Sequence, residues 1–540
     1  MADEIGKRIV ARMGKAKTSR LGWESYWQEV SELVLPNFSN TFFEGGYSLE
    51  QAQKKDRKRY DGAAEIAATR LSATMESILT PRNSRWHGLS SDDMSLNRKR
   101  RVREWFDEAT DILFKHRYAS AANFSSQAFE HYLSVSVFGT GCMFTDSLYD
   151  MQGRARGFRY AQIHIAQTYF YENHQGIVDE ALRPFKMTAR NALQKFGDKT
   201  PEEIKKAAAT SPEQMFDFIH CVMPREDIDY NRRDFKGMKF GSYYVSKSTQ
   251  EVVLEEGYNT FPYAISRYIT APGELYGRSP AMQCLTNIKV LNEQKKTVLK
   301  QGHRTVDPVL LTHDDGVLDS FSMKPGAMNS GAMTADGKRL VDVLPTGNLA
   351  VGDKMMQMER DEISAAFLTD LFAIFMERPQ MTATEIVELA REKGVLFSPI
   401  MGRQEAEFLS VMIEREMDLA NQQLLLPPMP PELVEAKGEY KIVFDNPLSR
   451  AQKAEQASGL MRTVGWASEM AAQSQDPTPL DHFEWDVIIP ELSNINGVPA
   501  KWMKTPEALA ALRQGRQQAV ETQQVIDAGP TIAAIQKNNQ

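Results

Sequence analysis

Three features of the sequence predict an α+β fold in which helices dominate. Apolar residues recur at helical spacing from Ile5 to Phe138, and again after Pro280. Between Gly141 and Thr270 the repeat shortens to two, the period of half-buried strands. In the middle, helical runs from Pro280 to about Gln301 and from about Leu349 to Phe375 flank a helix-poor excursion ending at Pro345. A chain of 540 residues exceeds the usual span of one domain, about 100–200 residues, so more than one structural unit is expected. Charged residues at 25% and hydrophobic ones at 42% match a globular protein and argue against general disorder.

The first helix places Ile5, Ile9 and Met13, then Trp23, Trp27, Val30 and Val34, at amphipathic spacing, and Pro36 and Asn37 stop it. A polar, basic segment follows. Residues Ala63 to Leu79 read as a helix with Ile66, Leu71, Met75 and Ile78 on its apolar side. Another helix opens in NRKRRVREWF at 97–106 and continues through Ile112 and Leu113, and Phe124 to Phe138 forms the next. Strands are expected in 143–150, 158–173, 220–227, 240–247, 251–258 and 263–270, the last four antiparallel. A short helix at 187–199 has Gly197 as a plausible cap.

In the run after Pro280, Leu285, Ile288, Leu291 and Val298 share one side, while Lys289, Glu293, Lys296 and Lys300 share another. Met356, Ile363, Phe367, Leu371 and Ile374 line the second run. A third helix carries a capping box, Thr382 with Glu385, and a hydrophobic staple, Met381 with Ile386. It should therefore start sharply at Thr382, leaving MERPQ as a loop. Ser398 and Pro399 should kink or interrupt it, with resumption near Arg403 and an end at Leu426. After a strand in YKIVFDN at 440–446, the rest reads as helical, Ser449 to Gln473, Trp485 to Leu492 and 506–524. Fraying is expected beyond Gly529.

Bond-making chemistry finds little support. No phosphate-cradling G-x-x-x-x-G-K-[ST] occurs, and GKAKT at 14–18 lacks its glycine spacing. GTGCMF at 139–144 runs from helix to strand, the reverse of a dinucleotide site, and reads as a glycine turn. His164, His174 and His220 lack metal spacing, and the acidic pairs at Asp314 and Asp315 and in 227–231 carry no sign of convergence. Cys142, Cys221 and Cys284 are scattered, as buried thiols of a reducing compartment are, and imply no zinc. No stretch reaches the roughly 18 apolar residues that span a bilayer, and the basic N-terminal segment lacks the apolar core of a secretory signal. Production in a cytoplasm is expected, with no cofactor and no enzymatic activity. The net charge of −7 differs from the basic balance of proteins that grip DNA tightly. The basic runs at 54–59 and 97–103 read either as solvated or salt-bridged faces or as contacts to nucleic acid.

Particular segments carry a family resemblance. GELYGRSP at 273–280, ERPQMTATEI at 377–386 and KIVFDNPLSRAQKAEQ at 441–456, in this order and spacing, resemble the portal proteins, or head-to-tail connectors, of short-tailed phages. The resemblance covers about residues 120–515. It implies a portal fold with an α/β wing (1–279), a first stem helix (280–302), a small α/β clip (303–349) and a second stem helix (350–372). A tunnel loop (373–382), a wing helix with return strand (383–448) and a helical crown with tail (449–540) complete it. It further implies a ring of twelve copies at the portal vertex of the virion, assembled in the host cytoplasm. Its partners would be double-stranded DNA held without sequence preference, the terminase large subunit, scaffolding and major capsid proteins, and tail or adaptor proteins, with no membrane. The tunnel loop would set Met376, Glu377, Arg378, Pro379, Gln380 and Met381 around the DNA. Lys289, Lys296, Lys300 and Arg304 are the candidate stem charges facing the channel. A virion adaptor without a conduit and a packaging-associated nucleic-acid enzyme are the competing readings.

Overall fold

The computed structural model describes residues 2–36, 59–150, 152–312, 321–345, 347, 349–369, 397–436, 438–445, 447–474, 476, 478–495, 503–504 and 508–519. Its architecture is α+β with helices in the majority. Helix α1 (Ala2–Val34) crosses two cores. Ile9, Met13 and Ala16 pack on Leu182, Ile219, Cys221 and Val245, and Trp27, Val30 and Val34 enter the main core. Arg20 sits between these halves, buried, and donates to the carbonyls of Ile165, Ala166 and Thr168 while pairing with Glu24. These carbonyls belong to the turn at 165–168 between two strands, so the guanidinium fixes that connection to α1.

Helix α2 (Ala63–Leu79) buries Ala64, Ala67, Ala68, Leu71 and Met75. Ile66, expected on that face, is instead 55% exposed. Three alanines let the backbone lie close to a neighbouring helix, and Ser72 Oγ reaches Ser136 Oγ at 3.2 Å. The larger Ile66 would hold the two apart. Strand β1 (His87–Ser90) and a short helix α3 (Met94–Arg98) precede α4 (Arg100–Arg117), and α5 (Phe124–Phe138) follows.

The strand-rich region divides into two sheets. Strands β2 (Thr140–Tyr149), β3 (Ala155–Gln162) and β9 (Tyr263–Arg267) form one, in the order β3-β2-β9. Strands β4 (Tyr169–Glu172), β5 (Val178–Thr188), β6 (Met215–Pro224), β7 (Phe240–Ser246) and β8 (Val252–Tyr258) form an antiparallel meander. Strand β5 carries no clear alternation in the sequence and holds Pro184. The proline is tolerated because β4 pairs only as far as Leu182, so at Pro184 one side of β5 has no ladder to break. Helix α1 covers one face of the meander. Helices α6 (Ala189–Phe196) and α7 (Glu202–Thr210) cover the other through Phe196 and Ile204 against Phe218 and Tyr244.

Past β9, a helical turn α8 (Pro280–Gln283) leads to α9 (Leu285–Val306), strands β10 (Leu310–Thr312) and β11 (Val341–Val343), and α10 (Leu349–Ala366). The second run ends earlier than its apolar spacing predicts. The backbone turns at 367–369, where Leu368 takes a left-handed φ of 56°, while Leu371 and Ile374 lie outside the described residues. The described chain resumes at 397 as a helix with Pro399 in its first described turn, where a proline is tolerated, and the residues before it, on which the expected kink or interruption depends, lie outside the described residues. The departure from α geometry is a π turn at Glu405–Leu409, leading into α11 (Ser410–Gln422). That turn sits where Glu407 meets Arg267 and Gln404 Nε2 reaches the Arg267 carbonyl, with Phe408 and Leu409 kept buried. A short helix α12 (Pro431–Glu435) precedes β12 (Lys441–Phe444), which closes against β1 in antiparallel register, His87 opposite Phe444. Helices α13 (Pro447–Ser474) and α14 (Trp485–Ile495) follow, with a further helix at 508–519.

Candidate functional site

The pair α9 and α10 with the hairpin between them stands out physically. It begins where two glycines meet. Gly139, at φ +75°, closes α5, and a Cβ there would lie 2.2 Å from the Gly277 carbonyl oxygen. A Cβ on Gly277 would lie 2.1 Å from that of Gly139. The 139–144 segment is thus a helix-to-strand glycine turn, as expected. Ser279 then caps the new helix, accepting from Met282 N at 3.1 Å and donating to the Val137 carbonyl at 2.7 Å, with Pro280 in the first turn.

The near half of the pair is anchored. Leu285, Ile288, Leu291, Met356 and Ile363 are buried. Asn287 Nδ2 donates to Glu359 at 3.2 Å and also to Glu362. Tyr60 N donates to Asn292 Oδ1 at 2.7 Å, and Arg360 pairs with Asp61 at 2.8 Å. This clasp has no local signal in the sequence, since it joins residues about 230 and 300 positions apart. Farther out, Gly352 meets Val298, where a Cβ would approach Cγ2 to 2.7 Å, so the missing side chain sets the helix spacing. The tip is closed by β10 and β11, antiparallel with Leu310 opposite Val343.

The far half has little core, with Val298 only partly buried against the main cluster. No described residue from 292 to 355 is buried. Val306 is 87% and Met328 97% exposed, and Leu299, Leu311, Met323 and Val351 are also open to solvent. An open groove of about 570 Å³ runs along the pair, lined by Val290, Gln294, Val298 and Met355 among others. Charge divides unevenly. Helix α9 carries Lys289, Lys295, Lys296, Lys300 and Arg304 against Glu293, whereas α10 carries Asp353, Glu359, Asp361 and Glu362 against Lys354 and Arg360.

The four candidate stem cations are all on α9. Lys289 pairs with Glu29 of α1 at 2.6 Å, and Lys296 pairs with Glu293 at 3.0 Å. The hydrogen bond and charge of Glu293 raise the Lys296 pKa. Lys300 and Arg304 are exposed toward the hairpin end. Met376, Glu377, Arg378, Pro379, Gln380 and Met381 lie outside the described residues, as do Thr382, Glu385, Asp314 and Asp315. In the basic run at 97–103, Arg100 pairs with Glu104 at 2.6 Å and Arg103 donates to the Asn97 carbonyl. Of the run at 54–59 only Arg59 is described, paired with Glu65.

The other chemical candidates are part of the scaffold. His220 lies between Tyr263 Oη at 2.6 Å and Ser242 Oγ at 3.0 Å. His164 Nδ1 accepts from Ala166 N. The three cysteines are buried, and burial pushes the Cys142 and Cys284 thiols up to about 12. Among the described residues no three His, Cys, Asp or Glu side chains gather as a metal site would require. No helix of the described residues is long and apolar enough to cross a membrane.

Residues 6–503 match the family described as bacteriophage head to tail connecting protein. A probable portal protein of Bordetella phage BPP-1 is 25% identical, with 99% of this chain and 96% of that protein aligned. The portal protein of Salmonella phage epsilon15 is 23% identical, with 99% of this chain and 95% of that protein aligned.

Proposed function

The chain belongs to the bacteriophage head-to-tail connecting protein family, and from that premise we propose that it is a portal protein. Copies form a ring, twelve in the particle, at one capsid vertex. The ring passes duplex DNA inward during packaging and outward during ejection, receives the terminase motor, and later holds the tail. Scaffolding and major capsid proteins surround it during assembly in the host cytoplasm. The role is structural and depends on geometry. In this reading 1–279 and 383–448 make the wing, 280–302 and 350–372 the stem, 303–349 the clip, 373–382 the tunnel loop and 449–540 the crown. Met376, Arg378 and Met381 narrow the channel, where flexible methionines suit contact without sequence preference.

One observation carries the ring: an arm from 292 to 355 with no buried described residue. Such an arm, with exposed Val306 and Met328, is stabilised when a partner covers it. The charge division supports a head-to-tail arrangement, in which the basic α9 of one copy lies by the acidic α10 of the next. The deciding experiment is single-particle imaging of the purified chain with mass measured in parallel. A closed ring with an axial hole admitting duplex DNA is expected. Monomers that persist at high concentration and with scaffold present would overturn the proposal.

A further inference from the structure

A second site lies in the body, far in sequence from the arm and independent of the ring. Arg117 ends α4 and is 0% exposed. Its Nε and Nη2 are taken by Glu416 at 3.0 and 2.5 Å, and Nη2 also reaches His87 Nε2 at 2.9 Å. The ring of Trp86 lies 4.6 Å from the guanidinium carbon and that of Phe114 4.8 Å. Nη1 remains buried with no hydrogen-bond partner among the described residues. A buried charged donor left unpaired is costly, so its surroundings are informative.

Arg117 lines a polar cavity of about 160 Å³ together with Arg82, Tyr118, Ser120, Asn123, Ser125 and Ser126. The same cavity holds the start of α5, a helix of 15 residues. Asn123 precedes it in a left-handed conformation, φ 63°, and no side chain caps its first amides. Asn123 Oδ1 instead accepts from the Ser126 hydroxyl. Free amides at a helix N-terminus favour an anion through both hydrogen bonding and the helix dipole. Arg82 is exposed at the rim and adds a second guanidinium. The Ser120 and Ser125 hydroxyls can donate as well.

We propose that this cavity is a binding site for a phosphate-class oxoanion. Arg117 Nη1 and the first amides of α5 form its floor, and Arg82 closes its rim. Glu416 already neutralises Arg117, so the remaining field suits one small, multiply accepting anion more than a long polyanion track. Arg fits it because a guanidinium presents donors in a fixed fork.

The test is titration of the purified full chain with inorganic phosphate, read by thermal unfolding and by calorimetry against sodium chloride at matched ionic strength. A saturable rise in Tm is expected, because a ligand of the folded state alone stabilises it. Arg82→Gln, a change at an exposed position, should weaken phosphate by roughly tenfold or more, the scale of a lost charge-assisted pair. Ser125→Asp places a carboxylate at the amides, and should abolish the phosphate response while leaving the protein folded. A short DNA duplex separates the sources of the ligand. Displacement of phosphate by duplex in an Arg82-dependent way assigns the site to a backbone phosphate, and phosphate binding indifferent to duplex assigns it to a free ion. A phosphate effect no larger than that of chloride, an Arg82→Gln variant that responds like the parent, or acetate as effective as phosphate would overturn the proposal.

Discussion

At the scale of single residues, the interior is organised by a buried ion pair. Arg117 and Glu416 are both 0% exposed. Tyr160 donates to the same carboxylate at 2.5 Å. Burial opposes the Arg117 charge, but the Glu416 carboxylate outweighs it and raises the pKa. Replacing Glu416 by Gln would leave a buried cation uncompensated. Denaturant unfolding of Glu416→Gln is expected to show a loss of about 3–5 kcal/mol. Buried histidines set the acid limit. Burial pushes His131 down to about 3 and His164, beside Arg20, down to about 4. Both stay neutral in the fold but take up protons near pH 6.5 once unfolded. Their contribution is complete above pH 6.5 and is lost as pH falls towards 4 and then 3. Stability measured across that window should decline on acidification, and His131→Asn should flatten the slope. An equal slope in the variant would mean that His131 gains no proton on unfolding. None of this was legible in the sequence, because Arg117 and Glu416 lie 299 positions apart.

At the scale of elements, periodicity and caps were legible and strand partners were not. The helices Ala63–Leu79 and Phe124–Phe138 and the start of the arm at Pro280 follow their apolar spacing and end signals. Ile66 did not, because close helix approach favoured the alanine face. The π turn at Glu405–Leu409 had no signal in the sequence either, since it lies at the contact with the distant Arg267. The crossing of Gly139 and Gly277 is a backbone contact with no room for a methyl group. Gly277→Ala should therefore destabilise by about 1–3 kcal/mol, the scale of overpacking, seen as a lower denaturant midpoint. The hairpin at the arm tip offers a separable test. Removal of about 315–340 should leave a folded body by circular dichroism but prevent stable rings by mass measurement. Normal rings from that deletion would assign ring formation to other surfaces.

At the scale of the whole molecule, charge and exposure are distributed unequally. The chain is acidic overall, yet α9 is basic and has no fully buried residue beyond Leu291. Reversal of Lys295 and Lys300 to glutamate should lower the ring population and alter its salt dependence. Reversal of Asp353 and Asp361 to lysine in the same chain should restore it, because the interaction runs between copies. Failure of the second change to rescue the first would place those cations on the channel instead of between subunits. The sequence by itself determined the α+β class, most helices, the helix–hairpin–helix order and the family, since each rests on local periodicity or on motif order. Only the tertiary structure decided that the strands divide into two sheets, and that β1 pairs with β12 some 350 residues away. It alone left Arg117 with a free donor beside an uncapped helix. These features arise from contacts between distant segments, whose burial and unpaired polar groups exist only once the chain has closed upon itself.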